Sequence, residues 1–319
     1  MSSATCTAMT IPASRTAEAG PHGWVVIDKP AGITSSRVVV ALRRSLGGVK
    51  TGHSGTLDPL ATGILPIALG EATKTVRFAM GGDKRYRFRV RWGEARDTDD
   101  ADGEIVAASA VRPSPAAIAA ALPEFTGTIR QRPPAFSAIK LAGRRAYALA
   151  RAGRAPELAA REVEVRELSL REAIDADHAE FEATVGEGTY IRALARDLAA
   201  ALGTHGHIVA LRRLAVGRFA ESQAISLDLA LSLGHSLAAS EHLLPLETAL
   251  DDIPALALTA DESVRLRHGQ QVTPRDPRER ARLDQLDNGM IVGARHDCLV
   301  VALARVEDGA LRPVRIINR

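Results

Sequence analysis

Apolar and polar positions alternate without a break over residues 85–92, Arg85-Tyr86-Arg87-Phe88-Arg89-Val90-Arg91-Trp92. A period of two puts Tyr86, Phe88, Val90 and Trp92 on one face of a strand and four arginines on the other. A shorter apolar run, Trp24-Val25-Val26-Ile27, reads as a buried strand stopped by Asp28-Lys29-Pro30-Ala31-Gly32. Thr34, Ser35 and Ser36 then offer N-caps to a helix in which Val39, Leu42 and Leu46 recur at helical spacing until Gly47-Gly48. Further strands are expected at residues 64–69, 163–170 and 180–185, with a short helix over 71–78. A longer helix from about 190 to 202 carries Ile191, Leu194, Leu198 and Leu202 as an apolar stripe. The alanine-rich residues 227–250 also read as helical. Strands and helices mix without a regular βαβ rhythm, which predicts an α+β fold with a largely antiparallel or mixed central sheet flanked by helices.

Past Pro254 the texture changes to short β-like segments at residues 290–294, 299–304 and 314–317, which predict a small β-rich C-terminal domain. The expected division is a disordered tail over 1–22, a main domain over 23–252 and the small domain over 253–319. The tail is small and polar, is broken by Pro12, and lacks the basic start and apolar core of a secretory signal. A chain of 319 residues with 46% hydrophobic content can bury a substantial core. No apolar window is long enough to span a bilayer, so a soluble protein is expected. Cys6 and Cys298 lie near opposite ends and form no CxxC pair, indicating neither a disulfide framework nor a cysteine zinc site; a reducing cytoplasm is the natural setting.

A net charge of +3 is too mild to identify a partner, so the distribution of charge matters more. Basic residues gather at 84–91, then at Arg130, Arg132, Lys140, Arg144, Arg145, Arg151 and Arg154, and again at Arg212, Arg213 and Arg218. They fit either solvated faces or phosphate contacts to RNA, and the acidic run Asp97-Thr98-Asp99-Asp100 close behind the first cluster allows local neutralisation.

The segment that points most directly to chemistry is Gly52-His53-Ser54-Gly55-Thr56-Leu57-Asp58-Pro59-Leu60-Ala61-Thr62-Gly63. Pro59 pushes Asp58 out of the helical region, and glycines bracket the segment, so the carboxylate is presented on a tight loop. Taken alone it also fits an ordinary Asp-Pro turn. No Gly-Lys-Ser/Thr follows, which excludes a phosphate-binding P-loop. His53 could line the same pocket, although a lone histidine is more often structural. His205 and His207 lack a third ligand, and no metal site is expected. Arg192 falls in the first turn of its predicted helix, where the macrodipole disfavours a cation. Either it reaches water or an acidic partner compensates it. Tyr86 shares the apolar face of its strand and could be plain core.

Together these segments resemble the TruB family of bacterial tRNA pseudouridine synthases. The resemblance runs in family order through residues 24–32, the 52–63 loop, Gly70-Glu71-Ala72-Thr73-Lys74, Asp83-Lys84-Arg85-Tyr86 and Asp97-Thr98-Asp99-Asp100-Ala101-Asp102-Gly103. It continues through Gln131-Arg132-Pro133-Pro134-Ala135-Phe136-Ser137-Ala138-Ile139-Lys140 and from Gly188-Thr189-Tyr190-Ile191-Arg192 to Leu211-Arg212-Arg213-Leu214. Ser54 departs from the family's usual threonine. The C-terminal stretch is similar to a small PUA-like RNA-binding module.

The resemblance implies a pseudouridine synthase-like catalytic domain that isomerises uridine 55 in the T arm of tRNA. It needs no cofactor, and the expected partner is the T arm and elbow of tRNA, bound by a monomer. Asp58 would be the essential carboxylate that starts breakage of the N1–C1′ bond, by attack on C1′ or removal of the C2′ proton. Both routes need it ionised, and a paired arginine is expected to keep its pKa low. Arg192 would be that partner and Tyr86 the active-site tyrosine stacking on the base. His53 would pack where the flipped uridine leaves, while Lys29, Tyr190 and Leu211 would support the pocket. Two other readings share the aspartate loop or the RNA: a guide-RNA-dependent synthase of the dyskerin type, and a non-catalytic tRNA-folding protein.

Overall fold

The computed structural model describes residues 20–137, 139–141, 144–151 and 158–319. The predicted disordered tail therefore lies almost wholly outside the described residues, as does Cys6, on which the reading of the cysteines depends. No described helix is long and apolar enough to cross a membrane.

The central sheet is built from β1 (Gly23–Lys29), β2 (Thr62–Leu69), β3 (Lys84–Trp92), β4 (Gly127–Gln131), β5 (Arg161–Ala173), β6 (His178–Val185), β7 (Gly206–Val216) and β8 (Ala224–Ser226). Its order is β8-β1-β2-β7-β3-β6-β5-β4, with the short strand Thr51–His53 on β2 and Phe219–Ala220 on β7. β1 pairs with β8, and β2 with β7, in parallel; the other neighbours on this path are antiparallel. The mixed α+β architecture expected from the sequence is thus the one observed.

Period two decides how β1 and β3 are used. In β1 both faces are buried, so the run is apolar throughout: Val25 and Ile27 enter one core cluster, Trp24 and Val26 the other. In β3 only one face is buried. Tyr86, Phe88, Val90 and Trp92 face the core, and Phe88 stacks on Phe181 of β6 with ring centroids 5.3 Å apart. The arginine face meets acids across the strands, Arg87 with Glu182 at 2.7 Å and Arg89 with Glu180 at 3.3 Å. These arginines are paired by glutamates of β6, while Asp99 and Asp100 of the nearby acidic run turn to Arg196 and Arg192.

Helix α1 (Ser35–Ser45) is capped as expected by Thr34, whose hydroxyl accepts from the Arg37 amide. Helix α2 (Ile191–Ala201) buries Leu194 and Leu198, and both helices pack on the face of the sheet that holds Tyr86. Two predicted helices are broken up. Over 71–78 the Thr75 hydroxyl donates back to the Ala72 carbonyl at 2.8 Å, leaving a 3-10 turn, Gly70–Lys74, before a short helix, Val76–Met80. Over 227–250 the helix Leu227–Leu233 stops at Gly234, which has φ +47°. Two 3-10 segments follow, Gly234–Ala239 and Leu246–Leu250, the second entered through Pro245.

The C-terminal part forms its own sheet of β9 (Ala255–Ala257), β10 (Ile291–His296), β11 (Leu299–Glu307) and β12 (Ala310–Ile316), in that spatial order. It docks on the face opposite α1 and α2. Val300, Leu303 and Ile317 join Trp24, Ile64 and Phe219 in one buried cluster. Lys74 donates to the Ile316 carbonyl at 2.7 Å and the Val300 amide to Glu247 at 2.9 Å, so the seam is polar at its rim.

Candidate active site

The loop carrying Asp58 runs from the strand Thr51–His53 into β2 and is held on both sides by side chains from elsewhere in the chain. Ser35, the first residue of α1, accepts from the Leu57 amide at 2.8 Å and donates to the Leu57 carbonyl at 3.1 Å. Lys29 is fully buried; its ammonium donates to the carbonyls of Pro30 and Ile33 at 2.8 Å and of Pro59 at 3.3 Å. Burial lowers its pKa to about 8, opposed by the nearby Asp58 charge. Arg213, also buried, donates to the carbonyls of Ile64 at 2.7 Å, Gly55 at 3.2 Å and Thr56 at 3.5 Å. Gly63 has φ +97°, and a Cβ there would lie 2.2 Å from the Arg213 carbonyl oxygen, so only glycine lets β2 and β7 approach at the loop's end.

Arg192 stands in the first turn of α2, as predicted. The helix entry is set by Gln131 at the end of β4, whose side chain accepts from the Tyr190 amide at 2.8 Å and donates to the Tyr190 carbonyl at 3.2 Å. Arg192 Nε meets Asp58 Oδ2 at 2.9 Å and Nη1 meets Asp100 Oδ2 at 3.3 Å. Nη1 also donates to the Thr98 carbonyl at 2.8 Å, and Nη2 to the Phe136 carbonyl at 3.0 Å. The compensation that the helix position demanded is therefore supplied twice over by carboxylates and twice by carbonyls.

The guanidinium is 5% exposed, whereas the Asp58 side chain keeps 36% of its surface open. The acid is the accessible member of the pair. It nonetheless stands deep among protein atoms, and that burial pushes its carboxyl above the ordinary carboxylate range; Arg192 opposes the shift and Asp100 adds to it. The expectation that a paired arginine keeps this pKa low is corrected: one cation shared between two acids does not outweigh desolvation.

Tyr86 and Leu211 are buried on the same face of the sheet, in the cluster that also takes Leu57 and Ala61 from either side of the acid. Tyr86 lies opposite Arg213 in the β3–β7 register. His53, half-buried, ends the strand that leads into the loop, opposite Ile67. Tyr190 caps the entry to α2 under the Arg161 guanidinium, 5.5 Å from its ring centre. Asp58 and Arg192 are thus in direct contact, Lys29 holds the loop through the Pro59 carbonyl beside the acid, and Tyr86, Leu211, His53 and Tyr190 lie on the elements that frame them. His207 is buried with Nδ1 3.1 Å from the Glu94 carbonyl, a structural placement. In the basic clusters, Arg212 pairs with Asp28 at 2.9 Å and Arg213 supports the loop. Arg154 and the side chains of Lys140, Arg144, Arg145 and Arg151 lie outside the described residues.

Sequence reasoning missed Asp100, Arg213, Ser35 and Gln131. Asp100 gave no local signal: it stands in an acidic run that looks solvated, yet it is 5% exposed in the fold.

Among solved structures, the chain is similar to "Structure of H/ACA RNP bound to a substrate RNA containing 2'-deoxyuridine", with a TM-score of 0.71 and 22% identity over 93% of this chain and 86% of that one. It is equally similar, at 0.71 and 23% identity, to "Crystal structure of the archaeal box H/ACA sRNP Nop10-Cbf5 complex", covering 98% and 94%. These likenesses establish the fold. Residues 43–191 match the model of the TruB family pseudouridylate synthase N-terminal domain, and 192–251 that of the tRNA pseudouridylate synthase B C-terminal domain. Fold and family models define the protein as a pseudouridine synthase, an isomerase. Proteins called tRNA pseudouridine synthase B from Rhodospirillum rubrum and Caulobacter vibrioides are 52% and 48% identical to it, each over 93% of this chain and 96% of theirs. The chain belongs to the TruB family. The boundary between the two family models, at 191/192, falls at the start of α2, so both matched regions contribute strands to one sheet and Arg192 opens the second.

Proposed function

We propose that the protein isomerises uridine 55 in the T arm of tRNA to pseudouridine, with Asp58 as the essential carboxylate. The observation that carries this reading is the Asp58–Arg192 pair, with the carboxylate open and the guanidinium buried. The relatives' shared name, tRNA pseudouridine synthase B, supports tRNA as the substrate. Asp58 acts on the ribose, the N1–C1′ bond breaks, and the uracil stays in the pocket, turns and rejoins through C5. The C5 proton then leaves and N1 takes up a proton in its place, so the product is an isomer of the substrate and atoms balance without a cofactor. Arg192 fixes the carboxylate and favours its ionised form, Tyr86 stacks on the base, and His53 fills the place that the flipped uridine vacates. Lys29, Tyr190 and Leu211 hold the pocket's walls. Residues 23–252 form the catalytic unit, and residues 253–319 add an RNA-binding module to a monomer that works in the cytoplasm.

The test is Asp58→Asn, assayed for tritium release from tRNA labelled at uracil C5 and for tRNA binding, with no guide RNA present. Binding within about twofold of wild type and no release above background are expected. Release at the wild-type rate would remove Asp58 from the mechanism.

A further inference from the structure

Arg192 is not the only arginine that α2 spends on this region. Arg196 is four residues on, so the two guanidinium groups stack on one helix face. Each joins the same two pieces of chain. Arg192 reaches Asp100 at 3.3 Å and the Phe136 carbonyl at 3.0 Å; Arg196 reaches Asp99 at 2.9 Å and the Arg132 carbonyl at 2.8 Å. The acids are neighbours in sequence, and the two carbonyls stand at or next to the ends of the segment 132–137. The result is a ladder of two rungs. The inner rung contains the open carboxylate Asp58, and the outer rung lies one helical turn away.

The outer rung is built with some strain. Asp99 has φ +59°, a conformation that few residues other than glycine adopt. Its carbonyl accepts from the Ile208 amide of β7 at 3.1 Å, and its own amide donates to the Arg96 carbonyl at 3.1 Å, so the backbone is held while the carboxylate turns toward α2. That side chain is 13% exposed and Arg196 31% exposed. Asp197 also accepts from Arg196, at 2.9 Å. Arg196 thus ties α2 to the segment 132–137 at the end away from Asp58, without touching Asp58.

We propose that Arg196, with Asp99, is a positioning pair that sets where residues 132–137 stand relative to the reacting carboxylate, and so how tightly the target nucleotide is held. The inference rests on the reading of Asp58 and Arg192 as the reacting pair. With only the inner rung, the segment is fastened to α2 at Phe136 and can pivot there. With both, its two ends are fixed along the helix. A pivoting segment weakens the grip on the RNA while leaving the Asp58–Arg192 geometry intact, so the effect falls on KM and not on kcat.

The experiment measures tritium release from C5-labelled tRNA for Arg196→Gln, Arg196→Lys and the double variant Asp99→Asn/Arg196→Gln, with thermal unfolding alongside. The double variant removes both charges and avoids leaving a buried carboxylate unpaired. KM is expected to rise about tenfold in Arg196→Gln and in the double variant, with kcat within about threefold of wild type. Arg196→Lys keeps the charge on Asp99 but cannot also reach the Arg132 carbonyl, and its KM should rise by a smaller factor. Wild-type KM in the double variant, with or without a lower melting temperature, would show the rung to be structural only. A fall in kcat at unchanged KM would place Arg196 in the chemistry and equally overturn the proposal. An active Asp58→Asn would instead sink the underlying reading, and the two failures are separate measurements.

Discussion

Arginine appears in two settings in this molecule, and they differ in what the fold asks of it. Arg192 and Arg213 are buried and each meets several acceptors drawn from distant parts of the chain. Arg87, Arg89 and Arg91 line an outer sheet face with side chains about 40% exposed, and pair with glutamates at 2.7 to 3.3 Å. Distances alone do not separate the settings. Burial and the count of acceptors do, because a desolvated guanidinium must have its donors satisfied, whereas an exposed one exchanges acid for water at little difference in free energy. The buried pair of arginines therefore organises the site, and the exposed row makes a soluble sheet surface.

The strongest way to break that contrast is Arg192→Lys. An ammonium cannot replace the planar fork that reaches Asp58, Asp100 and two carbonyls together. Tritium release from labelled tRNA should fall at least about 100-fold, because the misplaced carboxylate loses its near-attack position. Urea unfolding should show a loss of about 3 kcal/mol, the penalty for a broken buried ion network. If release stayed within a factor of ten, charge alone would suffice, and the fork geometry would not be what distinguishes Arg192 from the surface row.

Much of this was legible in the sequence, and what was not had a physical reason. The alternation of β3, the caps of α1 and the glycine-bracketed Asp58 loop are local patterns, written within a few residues. Arg192 drew attention because a cation at a helix N-terminus is locally unfavourable, although water could have compensated it as well as an acid. Arg213 gave no such sign: it sits beside Arg212 in a basic run, yet one pairs with Asp28 at 2.9 Å while the other donates to Ile64, 149 residues away. Asp100 was hidden likewise, since an acidic run on a turn looks solvated until α2 packs over it. The two broken helices failed for a different reason, because Gly234, Pro245 and Thr75 override a good apolar pattern at single positions.

A pH profile sharpens the comparison at the site itself. In the proposed mechanism Asp58 acts as a carboxylate, and burial, helped by Asp100, pushes its carboxyl up. An acid whose pKa is raised in the folded protein loses its charge earlier as the pH falls. The acid limb of kcat/KM should therefore lie above the ordinary carboxylate range near pH 4, falling about tenfold per pH unit below its midpoint. Asp100→Asn removes the like charge and should move that limb to lower pH. A limb at the ordinary value in wild type would mean that Arg192 outweighs burial.

The smallest effect is expected where the charges are most numerous. Arg87 and Glu182 face each other across β3 and β6 at 2.7 Å, with Arg87 43% exposed and Glu182 21%. A double-mutant cycle through Arg87→Ala and Glu182→Ala should give a coupling below about 1 kcal/mol in urea unfolding, smaller still in high salt. Tritium release should stay within about twofold of wild type, since neither side chain reaches the face that carries Asp58. A large fall in KM-dependent release from Arg87→Ala, with stability unchanged, would mean that the arginine row touches RNA through its exposed surface. The division between organising and solvating arginines would then have to be redrawn on the outer face of the sheet, with Glu182 serving to hold Arg87 in place for a phosphate and not to cancel it.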